Sequence, residues 1–256
     1  MKIATFNANS IRARLEIVCD WIKQNNPDVL AIQETKVPDN DFPAAAFEEL
    51  GYQVAYHGQK SYNGVATLSK KPMQKVRIGF GDGLWPDDCR ILSAEINGLN
   101  VINTYVPNGT AVGTDKFDYK LRWLERFSAM LSERYGPKDP LIWLGDINIA
   151  PTEDDVFEPH RQKGKVGFHP DEIKVLEKNV GWGFTDLFRK FTEGPGHYSF
   201  WEFYLPKAFE RNLGWRIDHI YATESLAKKC KSCVIDKAPR ALEKPSDHTF
   251  VVAEIG

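Results

Sequence analysis

Val29-Leu30-Ala31-Ile32-Gln33-Glu34 is a run of four apolar residues that ends on an amide and a carboxylate. Asn26-Pro27-Asp28 stands in front of it, so the run reads as a short buried strand delivering Gln33-Glu34 to its C-terminal end. Outward toward the N-terminus, Ile11, Leu15, Val18 and Ile22 share one stripe at helical spacing. That helix must stop before Pro27, because a residue preceding proline avoids the helical region. Lys2–Phe6 alternates polar and apolar, reads as a strand, and halts at Asn7-Ala8-Asn9-Ser10. Strand, helix, strand is the first unit of the chain.

Outward toward the C-terminus, a short helix is predicted over Pro43–Leu50, with proline at its start and Gly51 past its end. Tyr52–His57, Val65–Ser69, Arg90–Ile96 and Asn100–Val106 read as successive strands. Asn97-Gly98 marks a hairpin between the last two, since both turn positions need positive φ. A long helix spans Lys116–Tyr135, with Phe117, Leu121, Leu124, Phe127 and Leu131 in phase and Gly136-Pro137 ending it. Leu141-Ile142-Trp143-Leu144 is another buried strand, followed at once by Gly145-Asp146. Asp171–Asn179 is a weaker helix; Tyr198–Phe203, Arg216–Tyr221 and Phe250–Glu254 read as late strands. This order predicts an α/β chain with two mixed sheets packed face to face and helices outside.

The bulk figures bound the function. The chain has 256 residues, 42% hydrophobic and 27% charged, with 33 Lys+Arg against 35 Asp+Glu and a net charge of -2. Those values exclude collagen-like, coiled-coil and disordered classes, and they exclude a bulk polycation, so any polyanion site must be local. A chain of this size buries roughly three quarters of its unfolded surface without staples. With no linker or low-complexity tract, residues 1–256 read as a single domain. The cysteines are Cys19, Cys89, Cys230 and Cys233, too few for a disulfide scaffold, which predicts a reducing, cytoplasmic setting. Cys230-Lys231-Ser232-Cys233 lacks the second pair that a zinc site uses and reads as incidental. The opening MKIATFNANS is not a signal peptide in composition, and no apolar run approaches the about 20 residues of a membrane span.

Polar residues recur at strand ends or just beyond: Asn7 and Asn9, Glu34, Tyr105, Asp146 and Asn148, Asp218, and Asp247-His248. Loops at sheet ends are where a rigid scaffold holds a site. Glu34, Asp146, Asp218 and Asp247 are hard oxygen donors, and Asn7, Asn9 and Asn148 add neutral oxygens. Such a set suits Mg²⁺ or Mn²⁺. A histidine beside an aspartate, with a tyrosine, supplies donors for a phosphoryl group.

Seven segments carry a resemblance. They are Ile3–Arg12, Gln33-Glu34-Thr35-Lys36, Tyr62–Ala66, Asn103–Gly109, Leu144–Pro151, Asn212–His219 and Lys244–His248, in that order. With them the chain, from Met1 to Gly256, resembles the exonuclease III family of apurinic/apyrimidinic (AP) endonucleases, within the endonuclease/exonuclease/phosphatase superfamily. The resemblance implies a four-layer α/β/β/α sandwich and a DNA-repair hydrolase. Its reaction would be Mg²⁺-dependent cleavage of the phosphodiester 5′ to an abasic site, leaving a 3′-hydroxyl, with 3′→5′ exonuclease or 3′-phosphodiesterase activity beside it. The partner would be duplex DNA with abasic sites or blocked 3′ ends, met by a monomer away from any membrane.

Carried over by position, the resemblance makes Glu34 the principal metal ligand. Asn7, Asn9, Asp146, Asn148 and Asp247 are the other candidates for the metal. It implies that Asp146 aligns or activates the attacking water and Asn148 orients it. His248 would bind the scissile phosphate, with Asp247 holding the imidazole. Tyr105 would contact the phosphate or assist the leaving oxygen. Asp218 would be a second metal position or an orienter of the histidine. Phe200, Trp201, Trp215 and Ile217 are candidates for a pocket that takes a base-less sugar. Tyr62 and Asn63 resemble a DNA-backbone loop, and Asn108 a phosphate contact. Asn9 stands where some relatives have Asp, and Ile147 replaces a frequent aromatic. His219 should face away from Asp218 and reads as structural. Two other readings share part of this set. One is a superfamily phosphodiesterase or phosphatase acting on RNA or a phospholipid, which would not need Asn212–Asp218 and its aromatics. The other is a non-catalytic nucleic-acid-binding regulator, expected to have lost the carboxylates.

Overall fold

In the computed structural model, which describes residues 1–86 and 88–256, the first unit is β1 (Lys2–Asn7), α1 (Ile11–Asn25) and β2 (Val29–Gln33). Asn26 at φ 51 closes α1 in the left-handed region, its N–H returning to the Ile22 carbonyl. Then come α2 (Ala44–Glu48), β3 (Gln53–His57), β4 (Val65–Ser69), β5 (Met73–Ile78), β6 (Ile91–Ile96) and β7 (Leu99–Tyr105). Asn97 and Gly98, at φ 51 and 78, make the two-residue turn that sets Ile96 opposite Leu99. The long helix α3 (Asp115–Arg134) opens on Thr114, whose side chain accepts from the Phe117 N–H. It leads to β8 (Leu141–Asp146), α4 (Pro159–Gln162), α5 (Pro170–Gly181), β9 (Phe184–Asp186), β10 (Asp218–Thr223), α6 (Glu224–Ala227), β11 (Cys230–Asp236) and β12 (Phe250–Ile255).

The strands form two six-stranded mixed sheets, β11-β12-β1-β2-β4-β3 and β5-β6-β7-β8-β10-β9. In each, one parallel pair sits at the centre: β1 with β2 and β7 with β8. Strand alternation sorts the apolar side chains into layers. Ile3, Val29, Ala31, Val101, Ile142, Leu144, Ile220 and Val251 fill the space between the sheets. Phe6, Leu30, Ile32 and Phe250 face α1 through Val18, Trp21 and Ile22. Ile102, Trp143 and Tyr221 face α3 and α5 through Trp123, Phe127 and Leu176. The four-layer α/β/β/α sandwich expected from the sequence is the architecture observed.

One expectation needs correction, and three strands lie outside the expected set. Tyr198–Phe203 is not a strand: Phe200 makes only isolated bridges to Trp215 and His248, and the chain around it is irregular. Its alternation is produced by packing between loops. In contrast, β5, β9 and β11 were not legible as strands. β5 is an edge strand whose Gln74–Ile78 face is exposed, so it has no apolar period.

Candidate active site

The C-terminal ends of the two parallel pairs meet at one rim. Beneath it, Gln33 donates to Asn103 Oδ1 at 2.7 Å, and Asn103 returns a bond to the Ala66 carbonyl at 2.8 Å. This buried amide bridge fixes one sheet against the other. Gly145 brings β8 close: at φ +138, an added Cβ would lie 2.0 Å from the Thr104 carbonyl oxygen. Only glycine permits that approach, and the next residue, Asp146, is aimed into the rim.

There Asn7 joins the halves. Its Nδ2 donates to Glu34 at 2.9 Å and to Asp146 Oδ2 at 2.8 Å. Asn148, at φ 55, sends its N–H to Asp146 Oδ1 at 2.9 Å and its amide to the Val106 carbonyl at 3.0 Å. His248 Nε2 lies 3.8 Å from Asp146 Oδ2, and its Nδ1 pairs with Asp218 Oδ2 at 2.8 Å. Ser199 completes this arm, donating to Asp218 Oδ2 at 2.7 Å and accepting from the Ile217 and Asp218 N–H groups.

The charges follow from burial and neighbours. Burial alone would lower His248; Asp218 and Asp146 win and push it up to about 10, so it is an imidazolium at neutral pH. Burial raises Asp146 to about 7, Asp218 and Glu34 adding to the rise against the pull of His248. Burial would raise Glu34 as well, but Lys36, 2.7 Å away, overcomes it and holds Glu34 below the usual range. Burial beside Glu34 and Asp146 holds the Tyr105 phenol well above its ordinary value, so it remains a donor.

Ligand atoms of Glu34, Asp146 and His248 all lie within 4.8 Å of one another, the group among the described residues that could hold a metal. Two carboxylates are hard donors of the kind a small divalent cation takes, and the Lys36 ammonium against Glu34 shows a cation already accommodated there. The residues fit a divalent metal. Among the described residues, Asp218 Oδ1 is a buried oxygen without a partner.

A cavity of about 400 Å³ opens on this rim. It is lined by the polar Glu34, Tyr105, Asn108, Asp146, Asn148, Asp247 and His248 together with the apolar Phe200, Trp215 and Ile217. The Phe200 ring leans on His248, centroids 4.7 Å apart. Three assignments differ from expectation. Asp218 takes the orienting role that was one of its two alternatives, pairing with the imidazole at 2.8 Å in place of Asp247. Asp247 instead accepts from Asn9 Nδ2 at 3.0 Å, outside the group that could hold a metal. Trp201 does not line the cavity; it is fully buried, edge-on to Phe209, with its indole N–H on Asn212.

Other candidates make their hydrogen bonds to groups other than Glu34, Asp146 and His248. Asn9 is spent on Asp247 and Lys36. Tyr62 is 71% exposed on the β3–β4 loop, and Asn63 donates to the Asp88 carbonyl; neither lines the cavity. Asn108 donates to Asn148 Oδ1 at 3.2 Å. His219 is structural as expected, bonded to the Ile149 carbonyl and Arg216. Ser199, Ser246, Lys36 and Lys120 were missed. Lys120 had a readable signal: a charged residue three places after Phe117 and four before Leu124, inside the apolar stripe of α3.

A sandwich with a carboxylate pair, a buried imidazolium and an adjoining apolar wall has the equipment of a metal-assisted phosphoester hydrolase. Residues 4–248 match the endonuclease/exonuclease/phosphatase family, and the chain belongs to that family. Exodeoxyribonuclease III of Haemophilus influenzae is 35% identical, the match covering 99% of both chains. The structure of an AP endonuclease from Archaeoglobus fulgidus superposes with a TM-score of 0.94 at 42% identity, covering 100% of this chain and 99% of that one. A 3′ phosphatase from Neisseria, solved with a product DNA hairpin, gives 0.94 at 36% identity, covering 100% and 99%.

Proposed function

We propose that this chain is a DNA-repair AP endonuclease. It would hydrolyse the phosphodiester 5′ to an abasic site in duplex DNA, leave a 3′-hydroxyl, and also process 3′ ends. The observation that carries this reading is one cavity in which Glu34, Asp146 and His248 face the apolar wall of Phe200, Trp215 and Ile217. Phosphodiester chemistry needs the first group. An apolar wall suits a sugar without its base, which also costs less to turn out of the stack.

The cofactor in this reading is Mg²⁺, with Mn²⁺ as a substitute, held principally by Glu34 with Asp146 in reach. When bound it neutralises charge on the phosphoryl and leaving oxygens. His248, charged at neutral pH and braced by Asp218, donates to a phosphate oxygen. Asp146, raised toward neutrality, takes a proton from the attacking water, a role that favours a pKa near the working pH. Asn148 orients that water, and Asn7 keeps the two carboxylates in register. Tyr105, still protonated, donates toward the leaving oxygen. The protein would act as a monomer in the cytoplasm, a reducing compartment that suits its four free thiols.

The 3′-phosphatase neighbour favours a second reading in which 3′-end cleaning is the main task. One experiment separates them: a duplex with a single abasic-site analogue beside a duplex with a 3′-phosphate end, each with Mg²⁺ and then with EDTA. A single metal-dependent cut 5′ to the analogue is the expected result. Release of 3′-phosphate without internal incision would replace the first reading by the second.

A further inference from the structure

Lys120 is fully buried on α3. Its ammonium donates to the Asn148 carbonyl at 2.8 Å and the Asn108 carbonyl at 3.1 Å, and it is ion-paired with Glu172, also fully buried. Two of the three N–H donors of the ammonium are thus placed on carbonyls, and its charge is matched by Glu172. Glu172 accepts with its other oxygen from the Gly167 N–H at 2.8 Å and the His169 N–H at 3.1 Å. One buried pair therefore touches three of the segments that bound the cavity, after β7, after β8 and before α5. Gly167 carries the contact onward: a Cβ there would sit 3.4 Å from the Trp215 indole and 3.5 Å from the Asn148 carbonyl oxygen.

We propose that the Lys120–Glu172 pair is a positioning device for the reaction. It holds Asn148 and Asn108, and through Gly167 the face of Trp215, in fixed relation to Asp146, without touching substrate. The proposal rests on the functional reading above for what the cavity does. The plain alternative is that the pair only joins α3 to α5. An apolar pair would do that at lower cost, since desolvating two charges often exceeds their attraction. Apolar side chains, however, cannot bind two backbone carbonyls at once. Asn148 sits in the left-handed region, which asparagine adopts readily, and its peptide is held from both ends. Asp146 grips its N–H and Lys120 its carbonyl.

The test is the double variant Lys120→Met/Glu172→Gln, which removes both charges and keeps the side-chain volumes. Melting temperature, amide hydrogen exchange and single-turnover cleavage are measured on the full chain. The expected result is a folded protein in which exchange at the Asn148 and Ala150 amides rises about tenfold through local opening. Cleavage should fall about 10²-fold with little change in KM, the cost of misplacing catalytic groups by a fraction of an ångström to an ångström. Wild-type exchange at those amides in a stable double variant would overturn the proposal. Exchange decides this even where the parent shows no abasic-site cleavage, an outcome that would count against the functional reading alone. If the double variant does not fold, Glu172→Gln decides. It keeps the acceptor for Gly167 and His169 and loses the charge pairing. Exchange at Asn148 should still rise; unchanged exchange would reduce Glu172 to a cap on α5.

Discussion

In the first half of the molecule α1 joins the parallel strands β1 and β2; in the second, α3 joins β7 and β8. Asn7 and Glu34 stand at the ends of the first pair, Tyr105 and Asp146 at the ends of the second. An antiparallel neighbour adds His248 just before β12 on one side and Asp218 at the start of β10 on the other. The halves differ in how these ends are held. Only Ala8–Ser10 separate β1 from α1, held by backbone bonds from Ala8 to the Gln33 carbonyl, Ser10 to that of Glu34 and Ile11 to that of Thr35, and by bonds of Asn9 to Asp247 and of Arg14 to the Asn9 carbonyl, with no fully buried ion pair among them. In the second half, Val106–Thr114 and the long stretches before α5 and β10 carry the cavity walls. Buried charge anchors them: Lys120 with Glu172, and Asp155 with Arg216 and Arg189. A short connection is positioned mainly by its own backbone. A long one needs side chains that reach across.

The largest expected effect tests whether both halves supply the chemistry. Glu34→Gln and Asp146→Asn should each lower single-turnover cleavage by about 10²–10⁴-fold, the range for losing a proton acceptor or a preorganised charge. DNA binding should survive Asp146→Asn, because removing a negative charge does not weaken attraction for phosphate. If either variant kept more than a tenth of the rate, its half would be a scaffold for the other.

Next is the difference in anchoring, read by chemical denaturation. Asp155 is fully buried; burial would raise it, but Arg216 and Arg189 hold it down at about 2. Asp155→Asn should cost about 3–5 kcal/mol by leaving buried guanidinium charge under-compensated. In the first half, Lys36→Met breaks the Glu34 pair at a partly exposed site and should cost no more than about 1 kcal/mol. Equal losses would erase the distinction between the halves.

The same contrast explains what the sequence made legible. β1, α1 and β2 were readable because local period and stop signals decide them. Glu34, Asp146 and His248 were readable as polar residues at strand ends within ordered motifs. Both Asp247 and Asp218 were candidates to hold the imidazole, and the choice between them was not legible, because it depends on where β10 lies beside β8. Nothing in the sequence marked Asp155 or Arg216 as buried, and their burial is a property of the long loops folding back. Trp201 and Trp215 are alike as residues; the bridges of Phe200 decide that one faces the cavity and the other the core.

Trp215→Ala separates the wall from the chemistry. Glu34, Asp146 and His248 are held by other contacts, so release of nucleotides from undamaged 3′ ends should persist. Abasic-site incision should fall about tenfold further, a discrimination of about 1.4 kcal/mol and within the range for reshaping an apolar pocket. Equal losses at unchanged melting temperature would make Trp215 a support for β10 instead of a wall.

The last effect is a slope against pH, and it reports on the second half alone. His219 is fully buried; Arg216 donates to its Nδ1, so Nε2–H is left to donate to the Ile149 carbonyl at 3.1 Å and the ring is neutral. Burial and the Arg216 charge lower its pKa from 6.5 to about 4. Between those values the unfolded chain binds a proton that the folded chain refuses. Stability from this residue is therefore present above pH 6.5 and is lost as pH falls through about 4, by up to ~1.4 kcal/mol per pH unit for one proton. Asp146, raised to about 7, titrates across the same window with opposite sign, because there the folded state holds the extra proton. Asp155 acts lower, toward about 2, and His248 higher, toward about 10, so neither confuses the window. The quantity to measure is thus the difference between wild type and His219→Gln in EDTA, from urea midpoints at pH 7, 6, 5 and 4.5. Gln can still accept from Arg216 and donate to Ile149, but it cannot titrate. The variant should lose little at pH 4.5 and most at pH 7, converging on wild type as acid removes the advantage of the neutral ring. A constant offset at every pH would show that His219 is protonated to the same extent folded and unfolded. The anchoring of the second half by Lys120 with Glu172 and by Asp155 with its arginines would then carry no pH dependence from this ring.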